Sequence, residues 1–258
     1  MASICVGCAG YSYDDWVGPF YPEGLPKERR LERYAQTFSF VELNFSYYAM
    51  PRKEHLATLR KSVPDGFRFS IKAHGSLTHQ RRDDWEERAR EFSAAITGLE
   101  GKLSGVLLQF PYSFHYTESN RRYLADLVEA VAGPELFVEF RNGDWERQQV
   151  IEGMRRRELN RVLVDAPKLQ GLPGRFEGGE QLPTNRVYLR LHGRNAENWW
   201  SGTNVTRYAY NYSKDELGEI AGRLKSLTVP EIFVIFNNHA NARAPINAGE
   251  LLKFIEVE

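Results

Sequence analysis

Glu42, Lys72, Glu139, Arg141, Arg190 and His192 each stand at or next to the C-terminal end of a short apolar, β-branched run. Carboxylates and an imidazole can move protons near neutral pH, so Glu42 or Glu139 is a candidate general acid or base with His192 as its partner. Arg141 and Arg190 carry planar forks that grip phosphate or carboxylate through paired hydrogen bonds. Lys72 is a candidate catalytic amine, although an ion pair with Glu42 or Glu139 would hold its pKa high and disfavour a Schiff base. Asn44, His74, Gln109, Asp165, Asn237 and Asn238 occupy the same run ends and suit the orientation of hydroxyls, amides or charged groups on a substrate. Tyr48 and Trp199 belong to an aromatic set, with Tyr11, Trp16, Trp145, Trp200, Tyr208, Tyr210 and Tyr212, whose faces can stack on a sugar or a base.

Eight runs must position these groups: Ile4–Cys8, Phe40–Asn44, Phe67–Ala73, Gly105–Phe110, Leu136–Phe140, Arg161–Val164, Val187–Leu191 and Ile232–Phe236. Helical segments separate most of them, and alternation of strand and helix argues for parallel strands joined by crossovers. Trp85, Ala89, Phe92, Ile96 and Leu99 recur at steps of four and three, one apolar helical stripe. Leu217, Ile220, Leu224 and Leu227 share another face, and Ser213 with Glu216 three residues on reads as a capping box. Pro51 is expected to open the second helix. Residues 166–185 hold Pro167, Gly171, Pro173, Gly174, Gly178, Gly179 and Pro183 without a helical stripe, so a long loop over the barrel mouth is expected there. The expected fold is therefore α/β: a (β/α)8 barrel of the triosephosphate-isomerase (TIM) type, one domain over residues 1–258, with the sixth helix reduced or replaced by a loop. In such a barrel the inward rows follow period two, and their C-terminal ends line one cup.

Thirty-four basic residues balance thirty-four acidic ones, so no global field draws the chain to nucleic acid or an anionic membrane. No apolar run reaches a membrane-spanning length and Met1–Gly10 lacks a signal pattern, so a cytoplasmic location without membrane contact is expected. Cys5 and Cys8 have C-x-x-C spacing, but on a strand they point to opposite faces, which favours a structural role. His74, His192, His239, Glu42, Glu139 and Asp165 are possible metal ligands without a diagnostic spacing, and no phosphate-loop or dinucleotide glycine motif occurs. No metal and no tightly bound cofactor is expected.

Several ordered motifs, VGCAGYSY (6–13), WVGPFY (16–21), VELNFSYY (41–48) and FRFSIKA (67–73) with Thr78–His79, continue through LLQFPYSF (107–114), Val138–Arg141 with Trp145, YLRLHG (188–193) and FNN (236–238). With these motifs the chain resembles the YecE-like family, domain of unknown function 72, almost end to end. The resemblance implies a TIM barrel and carries no established activity. It implies that Glu42, Asn44, Lys72, Gln109, Glu139, Arg141, Arg190, His192 and Asn237 form the family's polar cup. Cys8 and Ala9 replace hydroxyl residues common in the family, Asn142 a common histidine and His239 a common aspartate. The activity of this chain departs from its family's if those groups take part in chemistry.

The function expected from these residues is that of an enzyme, a hydrolase, lyase or isomerase, acting on a small polar or anionic ligand such as a phosphate- or sugar-containing molecule. The alternatives are nucleic-acid binding or processing, with bases stacked near Trp199 and Trp200, and a ligand-binding protein without turnover. Oligomeric state leaves no mark in the sequence.

Overall fold

A computed structural model describes residues 2–131 and 133–256. Eight parallel strands close into a barrel in sequence order, with β1 paired to β8. They are β1 (Ser3–Ala9), β2 (Phe40–Leu43), β3 (Arg68–Lys72), β4 (Leu103–Phe110), β5 (Leu136–Phe140), β6 (Asn160–Asp165), β7 (Arg186–Leu191) and β8 (Glu231–Phe236). Every expected run is a strand, with ends shifted by two residues at most.

The crossovers carry α1 (Arg30–Tyr34), α2 (Phe45–Tyr48), α3 (Lys53–Lys61), α4 (Trp85–Ile96), α5 (Glu118–Ala130), α6 (Gln148–Arg156), α7 (Asn204–Arg207) and α8 (Lys214–Ser226). The barrel is completed by α9 (Arg243–Glu256), which packs on β1 and β8. The apolar stripe of α4 buries Ala89, Phe92 and Ile96, and a 3-10 turn extends it to a buried Leu99. Ser213 and Glu216 form the expected reciprocal cap on α8. The start of the second long helix differs from expectation: Arg52 is still extended (φ −107°, ψ 138°), so α3 begins at Lys53 and Pro51 lies outside it. The short turn α2 uses the preceding residues to reverse the chain off β2, and Ala49 leaves that turn extended. No helix joins β6 to β7. Residues 166–185 run as a loop, anchored where Arg175 bridges to Val164 and where Gly143 N–H donates to Gly171 O at 2.8 Å.

Period-two alternation divides the apolar residues into two layers. Phe40, Leu107, Phe137, Val162, Val164, Tyr188, Phe233 and Ile235 fill the barrel interior, and a larger cluster lies between strands and helices. Cys8 belongs to the outer cluster and Cys5 packs against the inner one, so the two free thiols face opposite ways. The N-terminal end of the barrel carries half-exposed ion pairs, Arg68–Glu231 at 3.3 Å and Arg186–Glu231 at 3.1 Å.

The β1–β2 seam contains a side chain within the ladder. A Cβ on Gly7 would lie 2.0 Å from Phe40 O, which keeps this position to glycine. Beside it, the Tyr34 hydroxyl accepts from Cys8 N–H at 2.8 Å and donates to Phe40 O at 3.0 Å. Tyr34→Phe strips both buried backbone groups of their partner and is expected to lower the unfolding free energy by about 1–3 kcal/mol. The urea midpoint of the variant measures this; an unchanged midpoint would mean that the hydroxyl is not needed to hold the seam.

Candidate functional site

The inward row of each strand can be followed upward through the apolar interior into charge. Above Phe40 comes Glu42, above Phe137 comes Glu139, and above Tyr188 comes Arg190, all at most 1% exposed. Arg190 spans the barrel, donating from Nη2 to Glu42 Oε1 at 2.7 Å and from Nη1 to Glu139 Oε2 at 2.6 Å. Tyr188 OH donates to the second oxygen of Glu42 at 2.8 Å and meets Ser70 Oγ at 2.7 Å. Arg141 Nε donates to Glu139 Oε1, the same oxygen that lies 3.2 Å from His192 Nε2. Burial on its own would raise the Glu139 pKa, but Arg141, Arg190 and His192 hold it well below the usual carboxylate range. Burial, with Arg141 adjacent, pushes His192 down to about 3 against the pull of Glu139. A neutral His192 then donates from Nε2 to Glu139, and its Nδ1 accepts from Asn237 Nδ2 at 3.1 Å; the tautomer follows from this network.

Above this floor opens a cup of about 550 Å³ at the C-terminal ends of the strands. Its polar lining is Asn44, Lys72, Gln109, Arg141, Arg190, Asn237, His79 and Arg207, with Tyr13, Tyr47, Tyr208, Trp199 and His239 as walls. Tyr48, Tyr112 and Trp200 form the rim, exposed by 74%, 39% and 51%. Leu172, from the loop between β6 and β7, reaches the same mouth. Lys72 Nζ donates to Gln109 Oε1 at 2.8 Å and sits 4.3 Å over the Tyr47 ring. Burial and the neighbouring Arg190 push Lys72 down to about 7, with Arg141 adding to them and Glu139 and Glu42 opposing. His79 is pushed down to about 4 by burial and by Lys72. Asn44 Oδ1, Arg190 Nε and Arg207 Nε are buried without a hydrogen-bond partner among the described residues. Nor do the described residues include a group of three or more His, Cys, Asp or Glu able to hold a metal ion.

The structure therefore sorts the expected site residues. Asn44, Tyr48, Lys72, Gln109, Arg141, Arg190, Trp199 and Asn237 line the cup, whereas Glu42, Glu139 and His192 lie directly beneath its surface. Three expected members are elsewhere. Asp165 faces the helix layer, where it accepts from Arg194 Nε and Nη2, both at 2.9 Å, and from Tyr212 OH at 2.8 Å. Its neighbours Val162 and Val164 hold the inward row of β6, so Asp165 is out of phase with the cup. Asn238 is out of phase for the same reason and donates to Tyr210 O and Asn247 Oδ1, each at 2.9 Å. His74 lies past the end of β3, where the chain already turns into the Ser76–Gln80 segment, and its Nδ1 meets Ser76 Oγ at 2.8 Å. Among the aromatics, Trp16 is buried with Nε1 on His239 O, and Trp145 stacks on Phe140 in the outer layer at 4.2 Å. Tyr47, His79, Tyr112 and Arg207 are cup residues that the strand pattern did not reveal, because they sit on short helical turns and a loop outside any periodic row. Of Cys8, Ala9, Asn142 and His239, the positions singled out by the resemblance, only His239 lines the cup, stacked on Tyr13 at 4.9 Å.

The fold and this lining define the class: a TIM barrel with a basic, aromatic-rimmed cup at the C-terminal ends of its strands. The chain belongs to the family described as "Protein of unknown function DUF72", which matches residues 5–258. It is 28% identical over 280 residues to the UPF0759 protein YunF of Bacillus subtilis (strain 168), covering 99% of this chain and 95% of that one. A solved structure of a DUF72 family protein from Thermotoga maritima MSB8 superposes with a TM-score of 0.89 at 36% identity, over 98% of this chain and 99% of that one. A second, from Enterococcus faecalis V583, gives 0.86 at 27% identity, over 99% and 96%. A D-psicose 3-epimerase from Clostridium cellulolyticum H10 aligns over 97% of this chain and 98% of that one, with a TM-score of 0.55 and 9% identity, which shows the shared barrel alone.

The sequence predicts a high pKa for Lys72, and the structure reverses that: burial lowers it first and Arg190 next, while the carboxylates expected to pair with it are bound by Arg190 and Arg141. Between pH 7 and the unfolded lysine value the unfolded chain binds more protons, so the native protein loses stability as pH falls through that window. Lys72→Met removes this dependence. Its unfolding free energy relative to the parent is expected to rise as pH drops from about 9.5 to 7, by up to about 1.4 kcal/mol per unit, and to level off below 7. Denaturant melts across that range check it, and a difference independent of pH would mean that Lys72 titrates normally.

Proposed function

We propose that the cup binds a small anionic ligand and transforms it as a lyase or isomerase, with Arg141 gripping the anion and Lys72 as the titrating group. The observation that carries this reading is the state of Arg141. Its Nε is committed to Glu139, but its Nη2 contacts are long, 3.4 Å to Tyr208 OH and 3.5 Å to His192 Nδ1, and its Nη1 has no hydrogen bond to a described residue. The guanidinium carbon also lies 5.9 and 6.0 Å from the Trp199 and Tyr208 ring centres, and the side chain lines the cup. Arg190 is different, since both its Nη groups are spent on carboxylates below.

Charge supports an anion. Arg141, Arg190 and Arg207 outnumber Glu42 and Glu139 in and under the cup, and Lys72 can add a proton. Arg207 Nε is a buried donor without an acceptor among the described residues, a group that an anion could satisfy. In this reading Glu42, Glu139 and His192 hold the arginines in place and do not exchange protons with substrate. Hydrolysis is disfavoured for the same reason, because neither carboxylate meets the cup where a water would need activating. The rim of Tyr48, Tyr112 and Trp200 covers the ligand's carbon skeleton.

Arg141→Lys keeps the charge and loses the fork. Binding of phosphate, phosphorylated sugars or small carboxylates, followed by thermal shift and calorimetry, is expected to weaken by about 1–3 kcal/mol with little change in the ligand-free melting temperature. Unaltered binding together with a large fall in melting temperature would make Arg141 a structural partner of Glu139 and overturn the reading.

A further inference from the structure

Lys72 and Lys102 show what a lysine looks like with and without a structural task. Lys102 Nζ donates to three carbonyl oxygens, Arg60 O at 3.2 Å, Val63 O at 2.8 Å and Pro64 O at 2.9 Å, and so pins a loop. Lys72 Nζ donates to one acceptor, Gln109 Oε1. Gln109 is itself held, because its Nε2 donates to Phe110 O at 2.9 Å, which turns the amide oxygen towards the lysine. No carboxylate among the described residues comes within ion-pair distance of Lys72 Nζ; those beneath it are bound by Arg190 and Arg141. The nitrogen thus sits on the cup lining, fixed by one hydrogen bond and the Tyr47 face, with its other positions unclaimed.

We propose that Lys72 is a nucleophile that forms an imine with the carbonyl carbon of a small anionic aldehyde or ketone, whose charged end is held by Arg141. This rests on the anion-binding reading of the cup and adds the electrophile to it. The Nζ lone pair attacks the carbonyl carbon, the former carbonyl oxygen takes up a proton, and the nitrogen releases one, giving a carbinolamine. Loss of that hydroxyl as water completes the C=N bond, so amine plus carbonyl yields imine plus water with no redox change. Protonation of the imine nitrogen makes an electron sink for cleaving a bond to the adjacent carbon, which is lyase or isomerase chemistry. The nearby guanidiniums favour the uncharged amine needed for the first step, and they attract the substrate's anionic group. A lysine with an ordinary carboxylate partner would do neither.

Trapping with sodium cyanoborohydride tests this on the whole protein. Glyoxylate, pyruvate and dihydroxyacetone phosphate serve as anionic probes and dihydroxyacetone as the neutral control, with intact mass and peptide mapping as readout. The expected result is a single adduct on Lys72, formed at about pH 7.5 roughly several hundred times faster than on exposed lysines, as its larger uncharged fraction implies. Its rate should rise with pH through a midpoint near 7, the value to which burial and Arg190 bring the amine. Lys72→Arg and Lys72→Met, each checked for native circular dichroism, should lose the adduct. Arg141→Lys should slow trapping of the anionic probes more than of dihydroxyacetone. Phosphate binding that persists without a Lys72 adduct would overturn the imine and spare the anion reading. Loss of both would overturn both, and adducts spread evenly over surface lysines would overturn the imine.

Discussion

Arg190, stretched between Glu42 and Glu139 in a floor sealed from water, is the constraint from which the rest of the site follows. Removing two carboxylates and a guanidinium from water costs several kcal/mol per ion, and the cost is offset only when geometry and hydrogen bonding are good. Here each carboxylate oxygen has a partner. Glu42 is shared by Arg190 and Tyr188, and Glu139 by Arg190, Arg141 and His192. The bridge also ties β2, β5 and β7 together across the barrel, directly above the apolar plug of Phe40, Phe137 and Tyr188. Ion pairs at the opposite barrel end, such as Arg68–Glu231, are partly solvated and contribute less.

Once the floor is satisfied, what stands above it is left with a surplus of cationic and amide groups. Arg141 reaches down with one nitrogen and up with the others. Lys72 is held by the Gln109 amide and the Tyr47 ring, and its proton affinity is lowered first by burial and then by Arg190, with the carboxylates below it already paired to arginines. His79, neutral for the same reasons of burial and neighbouring charge, extends the wall. The charges of the floor add to burial in setting proton affinity in this cup, so a change at Glu139 would be felt at Lys72.

The loops complete the site. A loop replaces the helix after β6 and brings Leu172 to the mouth, and α7 brings Arg207 and Tyr208 to it. His239 stacks on Tyr13 within the wall, whereas Cys8 points into the outer apolar layer.

The eight strands, their order around the barrel and the place of Glu139 and Arg141 on one inward row were legible from the sequence, because period-two alternation and helical stripes are local signals. The same rule, carried one residue past its phase at Asp165 and Asn238, placed two outward side chains in the cup; the phase set by Val162, Val164 and Ile235 held the correction. No local signal marked Tyr47, Tyr112 or Arg207, which reach the cup through the path of turns and loops. The sequence by itself determined that Glu42, Lys72, Glu139, Arg141, Arg190 and His192 would meet at the top of the barrel. Only the tertiary structure decided that Arg190 and Arg141, not Lys72, take the two carboxylates. That choice depends on distances across the barrel between strands far apart in the chain, and it is what leaves the lysine without an ion pair.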